Sequence, residues 1–419
     1  MRTKTQTQPR VSWRLLPPFL VALLLAVGVQ VVLADWDDPI PTTVDASSAD
    51  VGHDSSLAVV NGYPAISYRD GTNTALKFAR ATDANGTAWI SMTVDNSADV
   101  GQHTSLAVVN GYPAISYRDG TNTALKFARA TDITGTAWIS MTVDNSGTVG
   151  YYTSLAVVNG YPAISYYDSS NGALKFARAT DANGTAWISM TVDNSADVGR
   201  YTSLTVVNGN PAISYQDWTN FALKFARATD ITGTTWVSTT VDGSAHVSLP
   251  STSLTVVNDY PAISYRGDSN LKYARATDAS GTGWISITVD SSANLGLYSS
   301  LAVVNGYPAI SYQDWTNRAL KFARATDITG TAWLSTTLSN TLDLGYDGTS
   351  LKVINGNPAI SCYDSDNGEL VYLRADNPNR VTFTQIETRR APSWLGAAVV
   401  PGLLALGGLV ALRRRRHST

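Results

Sequence analysis

The chain of 419 residues is 44% hydrophobic and 15% charged, so it has enough apolar residues for a large core and is not a disordered chain. All 33 acidic residues lie within residues 35–388, whereas 10 of the 30 Lys and Arg lie outside them, so this region carries a net charge of −13. Nucleic acid is therefore not an expected partner, because phosphate binding needs a basic surface.

The residue types favour an all-β chain. Glu occurs only as Glu369 and Glu387, while Ser, Thr, Val, Tyr, Gly and Asn are abundant. The single cysteine, Cys362, excludes an intrachain disulfide. It replaces a tyrosine of the other repeats, so we expect a buried packing residue rather than a reactive thiol.

Residues 1–34 are predicted to be a signal peptide. A basic segment with no acidic residue precedes an apolar run from Leu15 to Leu33, and the small residues Val32 and Ala34 favour cleavage after residue 34. An uncleaved membrane anchor is the alternative, because the apolar run is long. The segment that follows, from Trp36, matches the outer-strand pattern that begins at Trp89.

Residues 35–388 are built from a repeat of about 49 residues. Copies of Ser56 recur at Ser105, Ser154, Ser203, Ser253, Ser300 and Ser350, and residues 56–83 and 105–132 are identical. Each unit predicts four short strands, typified by SLAVVNG, YPAISYRD, ALKFARATD and AWISMTVD, with turns rich in Gly, Asn and Asp. Asn61-Gly62 predicts a tight hairpin between the first two strands.

Seven four-stranded units predict a seven-bladed β-propeller, with an open β-solenoid as the structural competitor. Eight segments compete for seven outer-strand positions, because both the N-terminal segment and residues 381–388 read as outer strands. We predict that the N-terminal strand joins the last blade and closes the ring.

The C-terminal end is predicted to be a membrane anchor. Residues 389–393 form a short linker, 394–412 an uncharged run long enough to span a bilayer, and 413–419 a basic tail containing four consecutive arginines. The arginines place the tail in the cytoplasm and the propeller outside the cell membrane. The alternative is a sorting signal, in which the apolar helix is recognised and removed.

Six turns resemble the Asp-box of sialidase-like propellers, Ser-x-Asp-x-Gly-x-Thr-Trp. They read TDANGTAW from Thr82 and recur with one extra residue between Asp and Gly, and the last repeat lacks them. The resemblance implies that the Asp and Trp of each turn are scaffold residues. These are Asp83, Trp89, Asp132, Trp138, Asp181, Trp187, Asp230, Trp236, Asp278, Trp284, Asp327 and Trp333.

The sialidase reaction, as the resemblance implies it, needs a Tyr nucleophile paired with a Glu, an Asp acid/base and three arginines. The two glutamates both lie in the last repeat, and Arg69, Arg118 and Arg266 recur on corresponding loops as parts of the repeat. Near-identical blades also give each position the same environment, whereas catalysis needs groups in different environments. Four scattered histidines form no zinc motif, so no catalytic residue, metal or cofactor is expected.

The candidate ligand contacts lie on loops that differ between repeats and are expected to share one face. The positions before the first strand read Asp54, His103, Tyr152, Tyr201, Pro250, Tyr298 and Asp347. Aromatic rings beside polar groups are typical of sugar-binding surfaces, although ordinary turn residues are the alternative interpretation. The ten candidates are His103, Tyr152, Tyr201, Tyr298, Arg69, Arg118, Tyr167, Asp168, Trp218 and Trp315.

The sequence therefore predicts an exported, membrane-anchored propeller that binds an extracellular glycan or protein without catalysis. Near-equal blades could supply several weak sites that gain from avidity. The alternatives are a sialidase-like or other glycoside hydrolase and a purely structural surface protein.

Overall fold

A computed structural model describes residues 36, 41–244, 246–247 and 252–375, all of which belong to one compact unit, Met1–Arg380. The described residues form 28 strands, arranged as seven four-stranded antiparallel sheets. None of them lies in a helix that could span a membrane. The predicted signal peptide, the strand at 381–388 and the apolar C-terminal segment lie outside the described residues.

The strands follow the repeat closely. Blades 1 to 3 contain β2 (Val51–Val60), β3 (Tyr63–Asp70), β4 (Ala75–Ala81), β5 (Trp89–Asp95), β6 (Val100–Val109), β7 (Tyr112–Asp119), β8 (Ala124–Ala130), β9 (Trp138–Asp144), β10 (Tyr151–Val158), β11 (Tyr161–Asp168), β12 (Ala173–Ala179) and β13 (Trp187–Asp193).

Blades 4 to 6 contain β14 (Val198–Val207), β15 (Asn210–Asp217), β16 (Ala222–Ala228), β17 (Trp236–Asp242), β18 (Thr252–Val257), β19 (Tyr260–Gly267), β20 (Asn270–Ala276), β21 (Trp284–Asp290), β22 (Leu295–Val304), β23 (Tyr307–Asp314), β24 (Ala319–Ala325) and β25 (Trp333–Ser339). Blade 7 contains β26 (Leu344–Ile354), β27 (Asn357–Asp364), β28 (Glu369–Arg374) and β1 (Thr42–Asp45). The predicted seven-bladed propeller is confirmed.

The N-terminal strand closes the ring. Strand β1 pairs antiparallel with β28, with Thr42 opposite Tyr372 and Asp45 opposite Leu370. The outermost strand of blade 7 thus comes from the beginning of the propeller, as predicted. This pairing ties the two ends of the repeat region together, so no blade is left with three strands.

The most repeated serine links each blade to the next. The hydroxyl of Ser56 accepts a hydrogen bond from the backbone N–H of Leu106 at 3.0 Å. The same bond occurs at every junction, and Ser350 of blade 7 accepts from Leu57 of blade 1. This circle of seven bonds satisfies backbone donors of the innermost strands, which explains why the serine recurs unchanged.

The Asp-box-like turns also join neighbouring blades. Asp83 accepts hydrogen bonds from the backbone N–H groups of residues 85 to 88, and the Trp89 indole donates to the Gly86 carbonyl at 2.9 Å. The Trp89 ring packs edge-on against Tyr372 of the preceding blade, with centroids 5.1 Å apart. Trp36 packs on Phe322 at 5.5 Å in a tilted arrangement and completes the circle with six edge-on contacts from the turns: Trp89–Tyr372, Trp138–Phe78, Trp187–Phe127, Trp236–Phe176, Trp284–Phe225 and Trp333–Tyr273.

A buried tyrosine, aspartate and lysine meet at six of the seven blade junctions. Between blades 2 and 3, Asp144 accepts hydrogen bonds from the Tyr166 hydroxyl at 2.6 Å and from the Lys175 ammonium at 2.5 Å. Burial raises the pKa of Asp144, but the bonds from Lys175, Tyr166 and Ser146 outweigh burial and lower it to about 2. The other five sets are Tyr68–Asp45–Lys77, Tyr117–Asp95–Lys126, Tyr215–Asp193–Lys224, Tyr265–Asp242–Lys272 and Tyr312–Asp290–Lys321.

The junction between blades 6 and 7 replaces all three of these residues at once. Ser339 stands in the position of the aspartate, Cys362 in that of the tyrosine and Val371 in that of the lysine. Cys362 is fully buried, as predicted, and burial raises the pKa of its thiol to about 12. This junction is therefore held by apolar packing, in a cluster that also includes Leu338 and the partly buried Trp36.

Two turn glycines with similar φ differ in how closely the neighbouring blade packs against them. Gly111 in a hairpin and Gly135 in an Asp-box-like turn both have positive φ, at 81° and 79°. A Cβ at residue 111 would meet no atom within 4 Å, whereas one at residue 135 would lie 2.6 Å from Phe78 Cε1. We expect Gly111→Ala to destabilise the fold by about 1–2 kcal/mol through backbone strain.

Gly135→Ala is expected to cost roughly 1–3 kcal/mol more than Gly111→Ala, because Phe78 is fully buried and cannot move aside. Chemical denaturation of the two variants, side by side with the unchanged chain, measures the difference. Equal destabilisation of both variants would contradict the packing of this turn against the neighbouring blade.

Candidate functional site

The innermost strand of most blades contains a bulge that directs one side chain into the centre. In β2 the pairing with β3 shifts between His53 and Ser56, and Asp54 has a φ of 52°. The equivalent residues His103, Tyr152, Tyr201, Tyr298 and Asp347 all have φ between 51° and 63°. Bulges of this kind turn a side chain out of the regular strand alternation.

The position of these residues corrects one expectation. The sequence placed them before the first strand, but the strand begins earlier, at Val51 in blade 1 and Val100 in blade 2, and they lie inside it. In most blades the innermost strand starts close to the neighbouring blade, and a glycine there allows this close approach. In blade 2, a Cβ at Gly101 would lie only 2.8 Å from the backbone of Leu76 in blade 1. The bulge interrupts the alternation of apolar and polar residues from which the strand was predicted.

These side chains line a cavity of about 660 Å³, here called the central cavity. The loops that join the second and third strands of each blade share one face of the propeller with the loops that join successive blades. The cavity opens on this face, where Trp315 of one loop donates a backbone hydrogen bond to Asn294 of the other and both residues line the cavity. Six residues from the bulge position, Asp54, His103, Tyr152, Tyr201, Tyr298 and Asp347, form its inner wall. Arg266, Asn294, Leu297, Trp315 and Tyr346 extend the wall on the side of blades 5 to 7.

Half of the ten sequence candidates meet in the central cavity. His103, Tyr152, Tyr201, Tyr298 and Trp315 line it. The His103 and Tyr152 rings lie 4.7 Å apart and the Tyr152 and Tyr201 rings 4.1 Å apart, so they form one continuous aromatic wall. Trp315 is 47% exposed and stacks on Tyr346 at 5.8 Å, which leaves one face of its indole open to a ligand.

The other five candidates do not line the cavity and have partners of their own. Arg69 pairs with Asp99 at 2.9 Å, and Arg118 stacks on Tyr151 at 4.0 Å. The Tyr167 hydroxyl donates to Asp197, the Asp168 carboxylate accepts from turn residues of its own loop, and Trp218 packs against Arg200. These residues stabilise the loops around the cavity.

The candidate set omitted two carboxylates, Asp54 and Asp347, and the polar residues Arg266 and Asn294. Asp54 and Asp347 occupy the same position in the repeat as the aromatic candidates, so the sequence alignment of the repeats could have identified them as cavity residues. Arg266 donates to Asn294 Oδ1 at 2.7 Å across neighbouring loops. Contacts between residues 28 positions apart do not follow from strand patterns.

The surroundings of the two carboxylates in the cavity shift their pKa values in opposite directions. Burial raises the pKa of Asp54, but the His103 ring and backbone N–H outweigh burial and hold it below its usual value. Burial and the charge of Asp54 hold the pKa of Asp347 above its usual value, although His53 acts in the opposite direction.

His53 joins blades 1 and 7 beside the cavity. Its Nδ1 lies 2.7 Å from Asp347 and its Nε2 lies 2.6 Å from Asp50, which also accepts a bond from the Tyr363 hydroxyl. Burial lowers the pKa of His53, but the bonds to Asp347 and Asp50 outweigh it and raise the pKa above 6.5. Both ring nitrogens can donate only in the imidazolium form.

We expect an NMR titration to place the pKa of His53 above 6.5, and Asp347→Asn to lower it. Because the folded-state pKa is raised, the stabilisation from His53 is fully present below pH 6.5 and is lost as pH rises through the folded value. The His53→Gln variant identifies the signal and should flatten this part of the stability profile. A His53 pKa below 6.5 would contradict the assigned contacts.

The residues of a sialidase-like active site are not brought together in the described part of the chain. Glu369 accepts a bond from Thr43 on the outer strands of blade 7, away from the central cavity. Of the three recurring arginines, Arg266 alone lines the cavity. Glu387 lies outside the described residues, and among the described residues no three metal-ligating side chains cluster.

No protein-family model matches the sequence, and neither does any curated protein. The endosialidase of phage phi92 is similar in structure, with a TM-score of 0.50 at 12% identity over 85% of this chain and 71% of that chain. S. cerevisiae core factor gives a TM-score of 0.51 at 10% identity, covering 94% and 70%. A fucose-specific lectin from Aleuria aurantia gives 0.45 at 13% identity, covering 71% and 96%. At these identities, structural similarity shows the fold alone.

Proposed function

We propose that this chain is a non-catalytic binding module, exported and anchored at the cell surface, that holds one saccharide in the central cavity. The observation that carries the proposal is the composition of this cavity: five aromatic side chains, Tyr152, Tyr201, Tyr298, Trp315 and Tyr346, stand beside carboxylates, an amide and a guanidinium. Flat rings pack on the C–H faces of sugars, and polar groups bond their hydroxyls.

The differences between blades support one central site over several equal sites. The blades share their serines and hairpins, and six share the Asp-box-like turn, but the bulge position carries Asp, His or Tyr according to the blade, and Pro250 in blade 5. Six of the seven blades contribute one of these side chains to the same cavity, among the residues that the structure describes. Export through residues 1–34 and anchoring through residues 394–412 are parts of the proposal that rest on the sequence.

A glycan array probed with residues 35–388 tests the function, with positive glycans measured by titration calorimetry. We expect binding of one saccharide per chain. Several equivalent sites per chain would overturn the single-site proposal. No binding at high protein concentration would favour a purely structural surface protein.

A glycoside hydrolase is the second candidate, and one observation favours it. Two carboxylates, Asp54 and Asp347, line one cavity, and their different surroundings shift their pKa values in opposite directions, as for a base and an acid. Mass spectrometry of a bound saccharide after prolonged incubation distinguishes the two functions. Cleavage that is lost in Asp347→Asn would favour the hydrolase, and an intact saccharide the binding module.

A further inference from the structure

Two carboxylates enter the central cavity from adjacent blades. Asp54 belongs to blade 1 and Asp347 to blade 7, and both occupy the bulge position at the point where the ring closes. Their side chains are 22% and 36% exposed, so a ligand in the cavity can reach them. Both carboxylates line the cavity together with Tyr298, whose pKa is raised by burial and by nearby groups that include Asp347 and Asp54.

One oxygen of the Asp347 carboxylate is left free by the described residues to accept a hydrogen bond from a ligand. Asp347 Oδ2 lies 2.7 Å from His53 Nδ1, while its Oδ1 accepts no hydrogen bond from the described residues. Asp54 accepts from the His103 backbone at 2.8 Å, and the His103 ring nitrogen lies 3.4 Å away. Within the part of the chain that the structure describes, neither carboxylate forms an ion pair with a lysine or arginine.

The charges of the lining residues distinguish between classes of ligand. Two carboxylates and one guanidinium, that of Arg266, line the cavity, so an anionic sugar would face net repulsion. A hard metal ion such as Ca²⁺ needs six to eight oxygen ligands, and the described residues hold no cluster of three metal-ligating side chains. An organic cation fits better, since it can bond a carboxylate and also pack on tyrosine rings.

We infer that the ligand of the central cavity carries an ammonium group, as in an amino sugar with a free amine, held by Asp54 and Asp347 beside the tyrosine wall. This inference rests on the proposed saccharide-binding function. The ammonium group would donate to Asp347 Oδ1 and lie close to the face of Tyr298. The sugar ring would extend from there towards Tyr152, Tyr201 and Trp315.

Two matched probes test the inference by calorimetry on residues 35–388. One is a β-1,4-linked glucosamine tetramer with free amines, at a pH where they are protonated, and the other is the same tetramer fully N-acetylated. We expect the free amine to bind at least about 10-fold tighter, since hydrogen bonds between charged groups are stronger than those between neutral ones. The double variant Asp54→Asn with Asp347→Asn is expected to abolish that preference, whereas Asp259→Asn, an exposed change in a hairpin on the opposite face, should preserve it.

The outcomes separate the inference from the function on which it rests. Equal or tighter binding of the acetylated tetramer, or a preference that survives the double variant, overturns the inference and leaves saccharide binding in place. If neither tetramer binds but neutral or anionic glycans bind on the array, the inference is likewise overturned and saccharide binding stands. A blank array overturns both proposals. Melting curves verify that the double variant folds. If it does not fold, the affinities of the two tetramers for Asp347→Asn alone are compared instead, with the same expected loss of preference.

Discussion

Replacing Asp144 by Ala is expected to lower the free energy of unfolding by about 3–5 kcal/mol, because the change leaves a buried ammonium without its carboxylate. Lys175 and Asp144 are 11% and 6% exposed in side-chain area, and the Tyr166 hydroxyl shares the same carboxylate oxygen. No other carboxylate pairs with Lys175 among the described residues. The whole junction between blades 2 and 3 should therefore weaken.

The junction between blades 6 and 7 supplies the matched comparison. There Ser339, Cys362 and Val371 occupy the three positions together, so no charge is buried. A triple variant with Asp144→Ser, Tyr166→Cys and Lys175→Val introduces that combination between blades 2 and 3. We expect it to cost less than the sum of its three single changes by about 1–3 kcal/mol, because residues in one network are coupled.

Urea denaturation followed by tryptophan fluorescence measures Asp144→Ala, the three single changes and the triple variant. The control is the exposed Asp259→Asn, which should stay within about 0.5 kcal/mol of the unchanged chain because Asn tolerates the positive φ of this position. The triple variant also removes the volume of a tyrosine ring, so it is not expected to be neutral. Strict additivity of the three single changes would show that the tyrosine, aspartate and lysine do not act as one network.

The second large effect concerns binding. Tyr201→Ala is expected to weaken saccharide binding by roughly 30-fold or more, because truncation of a central aromatic side chain typically costs 2 kcal/mol or more. Tyr201 lines the central cavity, and its ring lies 4.1 Å from Tyr152, so its loss opens the aromatic wall. Calorimetry with a glycan selected on the array measures the change.

Two further tyrosine variants assign the effect to the cavity. Tyr201→Phe keeps the ring and should retain most of the affinity, while Tyr112→Ala removes a tyrosine that packs on Arg129 near the hairpin of its blade. Tyr112→Ala is expected to leave affinity unchanged. Unchanged binding by Tyr201→Ala, or equal losses in Tyr201→Ala and Tyr112→Ala, would move the binding site away from the central cavity.

Strands, turns and blade number could be predicted because their causes are local. A hairpin such as Asn61-Gly62 depends on two residues that accept positive φ, and they adopt 50° and 80°. A strand such as β3 follows from a run of residues whose side chains are buried on both sides. The match between the segment from Trp36 and the outer strands likewise predicted closure, since the same pattern fills the same place in another blade.

Contacts between blades could not be predicted in this way. The Tyr166–Asp144 bond joins residues 22 positions apart, and the Ser56–Leu106 bond joins residues 50 positions apart. Neither interaction can be recognised from the pattern of apolar and polar residues in its own strand. The joint replacement by Ser339, Cys362 and Val371 becomes meaningful only when the three positions are seen side by side.

The sequence by itself determined that this chain forms seven similar blades and which end closes them, because each blade is built from neighbouring strands. The tertiary structure alone decided which of the variable residues meet. Arg69 and Tyr167 vary between repeats as much as Tyr152 and Tyr201 do, but they bond to Asp99 and Asp197 on the loops. The bulge in the innermost strand is what turns Asp54, Tyr201 and Asp347 towards a common centre, and its direction depends on the packing of one blade against the next.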